Sequence, residues 1–270
     1  MAPKNKTVSI IVATYNRPLL LGRTLNSILS QSYKDFEVIV VNDGGVDVQE
    51  IIDKANALCD NKIKYINSKE NLGPSAARNL ALDETTGGYI MFLDDDDILL
   101  PYALEFRMHM MAKLKSEVVY TRALQDIWEK QIEEDSYRSV HKQLYWDCPF
   151  NKDLMLLQNI APNCCVLFSR KAWDKSGNYK FDSSLETGED YDLWIAISRN
   201  SNFDELGLID VECSLRKSDN SQATGSKDFS ISYPIIYKRW RDTAINKEQV
   251  IEHQNAMLRK MGKNPEDYGL

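Results

Sequence analysis

Apolar, β-branched runs occupy residues 8–14, 36–41, 63–66 and 89–93, and their starts recur at nearly even intervals. Each run is close to continuously hydrophobic rather than alternating, the pattern of a strand covered on both faces. The segments between them switch to a helical period. Leu21, Leu25, Ile28 and Leu29 share one helix face, and Val48, Ile51, Ile52, Ala55 and Leu58 repeat the arrangement. Pro74 opens a third helix, followed by Ala76, Ala77, Leu80 and Ala81. Strands joined by helical crossovers predict an α/β fold with a mainly parallel sheet flanked by helices.

The beat stops at four consecutive aspartates, residues 94–97. Beyond them the pattern predicts a helix over 101–115, with Leu104, Met108, Met111 and Leu114 on one face. It then predicts short strands at 117–121 and 164–168, a helix over 190–199 with Leu193, Trp194 and Ile197 inward, and a last strand at 211–215. Residues 126–160 show little periodicity, although Trp128, Tyr145 and Trp146 there suit sugar stacking. The tail reads as helical and loosely attached.

A length of 270 residues allows one large domain or two fused lobes, and 43% hydrophobic content supports a real core. The net charge of -7 argues against nucleic acid as a partner. No segment resembles a secretory leader or approaches the ~20 apolar residues of a membrane span, so a cytoplasmic protein is expected. Cys59, Cys148, Cys164, Cys165 and Cys213 form no CxxC pair, and His109, His141 and His253 lack ligand spacing. Reduced, buried thiols are expected rather than a zinc site, with Cys164 and Cys165 on opposite faces of their predicted strand.

In an open α/β sheet, ligands bind beyond the carboxyl ends of the strands. Those ends carry Thr14-Tyr15-Asn16-Arg17, Asn42-Asp43-Gly44-Gly45, Glu70-Asn71-Leu72-Gly73 and the aspartate run. Four adjacent carboxylates repel one another at the end of a buried strand. A hard divalent cation, Mg²⁺ or Mn²⁺, relieves that repulsion; a solvated run or a helix cap is the alternative. Asp43 on its glycine turn either receives a ligand hydrogen bond or only shapes the turn. Arg78 either reaches the crevice or lies on the surface. Glu189, Asp190 and Asp192 open a predicted helix, where they either complement its dipole or supply a general base.

Together these segments resemble glycosyltransferase family 2, which has the GT-A fold. The resemblance spans about residues 7–200 and rests on the order and spacing of the set. Its pieces are the 8–17 strand end, Ser27 to Tyr33, Phe36 to Gly44, Asn71-Leu72-Gly73 with Ala77-Arg78-Asn79, Tyr89 to Asp97, and Gly188 to Trp194. It implies an inverting transferase that moves a sugar, a hexose or N-acetylhexosamine, from a nucleotide-diphosphate donor, with a UDP-sugar favoured. The acceptor would be a hydroxyl of a glycan or lipid-linked molecule, in cell-surface polysaccharide or glycoconjugate synthesis. A degenerate domain that binds glycans or proteins is the alternative.

The resemblance also implies roles. The Ala13 backbone and Tyr15 would flank the base, Asp43 would bond it, and Asn71 and Arg78 would help fix the donor. Asp94 and Asp95 would contact the donor, Asp96 would be the main metal ligand together with Asp94, and Asp190 would be the catalytic base. Residues 1–97 become the nucleotide-binding half and 98–215 the acceptor-binding half of a domain over 1–215, followed by a helical extension over 216–270. Many family members carry Tyr-Arg-x-His where this chain has Leu215-Arg216-Lys217-Ser218, so Ser218 replaces a histidine. From Leu215 onward the tail holds ten basic and seven acidic residues. Its Tyr237-Lys238-Arg239-Trp240-Arg241 segment is a candidate contact with the inner face of a membrane. The alternative is an amphipathic helix that covers the sheet or meets a second copy in a homodimer.

Overall fold

The structure, a computed structural model, describes residues 5–131, 136–145, 149–216 and 229–270. Four parallel strands stand where the apolar runs predict them: β1 (Val8–Thr14), β2 (Phe36–Asn42), β3 (Ile63–Asn67) and β4 (Tyr89–Phe92). Helices α1 (Pro18–Leu29), α2 (Gln49–Asn56) and α3 (Pro74–Asp83) make the crossovers. The chain continues through β5 (Ile98–Leu99), α4 (Ala103–Leu114), β6 (Val118–Gln131), β7 (Ser136–Tyr145), α5 (Lys152–Met155), β8 (Val166–Ser169) and α6 (Arg170–Lys175). It ends with α7 (Glu189–Ser198), β9 (Phe203–Arg216), α8 (Phe229–Trp240) and α9 (Lys247–Lys260).

The sheet order is β3-β2-β1-β4-β8-β6-β9-β5, with β7 paired to the outer half of β6. Val8, Ile10, Val12, Val38, Val40 and Val41 have no exposed surface, as residues of strands covered on both faces should. Connections from β1 lead to β2 and β3 on one side, while β4 lies on the other. The order therefore reverses between β1 and β4, the place where α/β sheets open a ligand crevice.

Four local readings change. Leu58 and Leu114 are exposed, because α2 stops at Asn56 and α4 terminates at Lys115 in a left-handed cap. The predicted strand at 117–121 is the start of a strand that runs to Gln131 and turns back as a hairpin; a bulge at Ile127/Trp128 interrupts its alternation. Cys164 and Cys165 lie on a 3-10 turn, Asn163–Cys165, ahead of β8, so they do not alternate across a strand.

The tail is not loose. Ile236, Tyr237, Val250 and Leu258 are buried in the main core. Asp192 of α7, fully buried, accepts hydrogen bonds from Trp240 Nε1 at 2.7 Å and Arg239 at 2.6 Å. It also accepts one from Tyr179 at 2.8 Å. Arg241 donates to Gln254 and Asn255. Tyr237, Trp240 and Arg241 of the aromatic-basic segment considered for a membrane are thus turned onto the protein, while Lys238 and Arg239 keep exposed surface. No helix among the described residues is long and apolar enough to cross a membrane.

Candidate active site

Because β1 to β4 are parallel, all four carboxyl ends open on one edge. Register pairs Thr14 with Asn42, and Asn42 with Asn67, so Tyr15, Asp43 and the 71–73 loop follow one another across that edge. Ala13 is half-buried at the end of β1, and the Tyr15 side chain beyond it is exposed. Asp43 is buried. Its Oδ1 accepts the Leu72 N–H at 2.8 Å and its Oδ2 the Gly73 N–H at 2.9 Å, which fixes the 71–73 loop. Asn71 caps the same turn, its Oδ1 accepting from Gly73 N at 3.0 Å. Gly44 makes this possible: it has φ +71, and a Cβ there would lie 2.4 Å from the Glu70 carbonyl carbon.

The aspartate run turns immediately after β4, closed by the Asp97 N–H donating to the Asp94 carbonyl at 3.1 Å. Each carboxylate meets a different environment. Asp95 is buried and accepts from Thr14 Oγ1 at 2.7 Å and Arg17 at 3.1 Å. Burial pushes its pKa up, against the pull of Arg17 and Thr14. Asp96 lies 3.5 Å from the same Arg17. Asp94 is more open and accepts from Arg78 at 2.7 Å.

Arg78 is buried, not on the surface. One side of its guanidinium bonds Asp94, the other bonds Glu189 Oε1 at 2.9 Å, and its Cζ lies over the Phe181 ring, 5.4 Å from the ring centre. Burial works against its charge, but the two carboxylates outweigh that and hold it ionised. The arginine thereby ties the turn after β4 to the first turn of α7.

Asp190 follows Glu189 in that turn. Its Oδ2 accepts from Asn159 Nδ2 at 3.0 Å and its Oδ1 from the Tyr191 N–H at 2.7 Å. Burial, helped by the neighbouring Glu189 charge, raises its pKa from 3.8 to about 7, despite Arg78 and the two hydrogen bonds. A carboxylate tuned to neutrality suits a general base. The third acid of the cluster, Asp192, faces the tail instead, as described above. A cleft of about 180 Å³ opens between residues 72–75 and 183–189, with Glu189 in its wall.

A divalent cation fits this donor set. Asp94 and Asp96 offer hard carboxylate oxygens at one turn, and Mg²⁺ or Mn²⁺ needs only one or two such groups when phosphate oxygens complete the shell. Sequence reasoning placed Thr14 and Arg17 at the end of the first strand without giving them a role, and it missed Asn159 and Tyr233. Arg17 was visible as a cation two residues past Tyr15. Tyr233 comes from α8, and its ring lies 5.7 Å from that of Tyr191. Its hydroxyl is pushed up to about 12, by burial first and then by the Asp190 charge. Trp146, Cys148, Lys217 and Ser218 lie outside the described residues, as do the side chains of Trp128, Tyr145 and Arg216.

The model of glycosyl transferase family 2 matches residues 9–177, from β1 to just past α6. The chain belongs to glycosyltransferase family 2. An uncharacterized glycosyltransferase of Rickettsia conorii is 34% identical to this family 2 chain over 214 residues, 77% of the chain and 32% of that protein. One of Methanocaldococcus jannaschii is 29% identical over 241 residues, 87% of the chain and 80% of that protein. The chain spans about a third of the length of its first Rickettsia relatives. The GT-A-like fold is shared with S. aureus TarS (residues 1–349, in complex with UDP-GlcNAc), at a TM-score of 0.70 and 18% identity over 93% of this chain and 71% of that one. The mannosyltransferase PcManGT of Pyrobaculum calidifontis, in complex with GDP-Man and Mn²⁺, gives 0.57 and 17% over 96% and 65%.

Proposed function

We propose that this family 2 chain transfers a sugar from a nucleotide-diphosphate donor to a hydroxyl of a glycan or lipid-linked acceptor, with inversion at the anomeric carbon. Arg78 carries the reading. Its simultaneous bonds to Asp94 and Glu189 put the aspartate turn and the Asp190 turn into one site. The Ala13 backbone and Tyr15 flank the base. Asp43, already holding the 71–73 loop, retains lone pairs for it, because an ionised carboxylate accepts about four hydrogen bonds. Asn71 and Arg78 help fix the donor, and Asp95 orients Arg17 beside the diphosphate. Asp94 and Asp96 hold Mn²⁺ or Mg²⁺, which when bound supplies positive charge to the leaving diphosphate.

Asp190 accepts the proton of the acceptor hydroxyl as its oxygen attacks the anomeric carbon from the face opposite the diphosphate. The new carbon–oxygen bond forms as the bond to the diphosphate breaks. Holding both partners in line lowers the barrier further. UDP, which TarS binds, is the proposed donor nucleotide.

The test is thermal unfolding with UDP, GDP, CDP and dTDP, each with and without Mn²⁺. A nucleotide at 100 times its Kd stabilises by about 2.7 kcal/mol. We expect one nucleotide to give a metal-dependent shift that Asp96→Ala abolishes. No shift with any of the four would refute the donor site.

A further inference from the structure

Two thiols meet in the core behind the aspartate turn. Cys164, on the 3-10 turn before β8, and Cys213, on β9, place their Sγ atoms 3.1 Å apart, and both residues are buried. Both are free thiols. One oxygen of the Asp97 carboxylate lies within 4.8 Å of the Cys164 and Cys213 sulfurs.

We propose that Cys164 and Cys213 form a reversible disulfide that is mechanically coupled to the aspartate turn. The two sulfurs lie about 1 Å beyond the ~2.05 Å of an S–S bond, a gap that side-chain rotation can close. Both segments are held in place by one buried cation. Arg107 donates to the Cys164 carbonyl at 2.9 Å and pairs with Asp210 at 2.6 and 2.7 Å, three residues before Cys213 on the same strand. A fixed pair of thiols, 49 residues apart in sequence, favours this bond over others. A soft cation between the sulfurs is the competing use of the cluster, but two thiolates sharing a tetrahedral ion at ~2.3 Å each would have to move apart from this spacing.

A peroxide is the oxidant. Each thiol gives up its hydrogen, the S–S bond forms, the O–O bond of hydrogen peroxide breaks, and two waters leave. Closing the bond draws the sulfurs together beside Asp97. Its N–H closes the 94–97 turn and its carbonyl accepts from Thr24 Oγ1 at 2.9 Å, so the movement reaches Asp94 and Asp96.

The native protein is treated with hydrogen peroxide, quenched, and its thiols counted after denaturation. The count should fall from five to three and recover with dithiothreitol. Non-reducing peptide mapping should join the Cys164 and Cys213 peptides. Cys213→Ala should prevent the link and Cys59→Ala should not; the wild-type map decides if the former fails to fold. Amide exchange over residues 93–99 should differ between the oxidised and reduced forms. An unchanged count, a link through other cysteines, or one zinc per chain protecting these thiols would overturn the disulfide. A correct link with unchanged exchange at 93–99 would overturn the coupling.

Discussion

Replacing Asp190 with Asn should stabilise this protein at alkaline pH while it abolishes transfer. Asp190 titrates near 7 in the folded state against 3.8 ordinarily. Between those values the native chain holds a proton that the unfolded chain has released. Stability therefore falls as pH rises through that window, and above pH 7 the full ionisation cost is present. At 1.36 kcal/mol per pKa unit that cost is about 4 kcal/mol, an upper bound because Asp190 is only half-buried. Asn carries no charge and its side-chain oxygen can still receive the Asn159 or Tyr191 hydrogen bond. At pH 8 the variant should gain about 1–3 kcal/mol, or a few degrees in Tm, and at pH 4 it should match the wild type. Thermal melts at the two pH values read this without any substrate. Turnover, once a donor is known, should drop by about 10²–10⁴ with nucleotide affinity retained, and wild-type activity should rise with pH through the same window. An Asn variant less stable than wild type at pH 8, or one that still turns over normally, would refute the assignment of a strained base.

The other predictions concern the supports of the site. Asp210→Ala leaves the fully buried Arg107 without its carboxylate and should cost about 3–5 kcal/mol in denaturant unfolding. Asp192→Ala removes the acceptor shared by Arg239, Trp240 and Tyr179; amide exchange of α8 should speed up while β1 to β4 stay protected. Gly44→Ala puts a methyl into the Glu70 backbone at a positive φ, so it should destabilise by at least about 1 kcal/mol and raise protease cleavage near residues 70–73.

The first hundred residues were legible because strands buried on both faces need continuous apolar runs and their crossovers need a helical period. The edge that carries the candidate site was legible for the same reason, since parallel strands deliver all their carboxyl ends to one side. What sequence could not convey is the direction of individual side chains. Asp43 spends both oxygens on the 71–73 loop, and Glu189, Asp190 and Asp192 diverge from one helical turn toward Arg78, Asn159 and the tail. The hairpin of β6 and β7 escaped because its bulge breaks the alternation that would have announced it. Two signals were present and passed over. Arg107 shares the apolar face of Leu104, Met108 and Met111, a position that only a buried partner such as Asp210 explains. Phe229, Tyr233 and Tyr237 stand four residues apart, one face of a helix, and that face meets α7.

Asp192 has a consequence for how such chains can be recombined. Its two oxygens join α7, which carries the candidate base, to the end of α8, more than forty residues later. A crossover near residue 216, where the strand pattern ends, would separate a buried carboxylate from the arginine and indole that satisfy it. Chimeras meant to exchange acceptor preference between relatives should therefore inherit α7, α8 and α9 from one parent as an unbroken block.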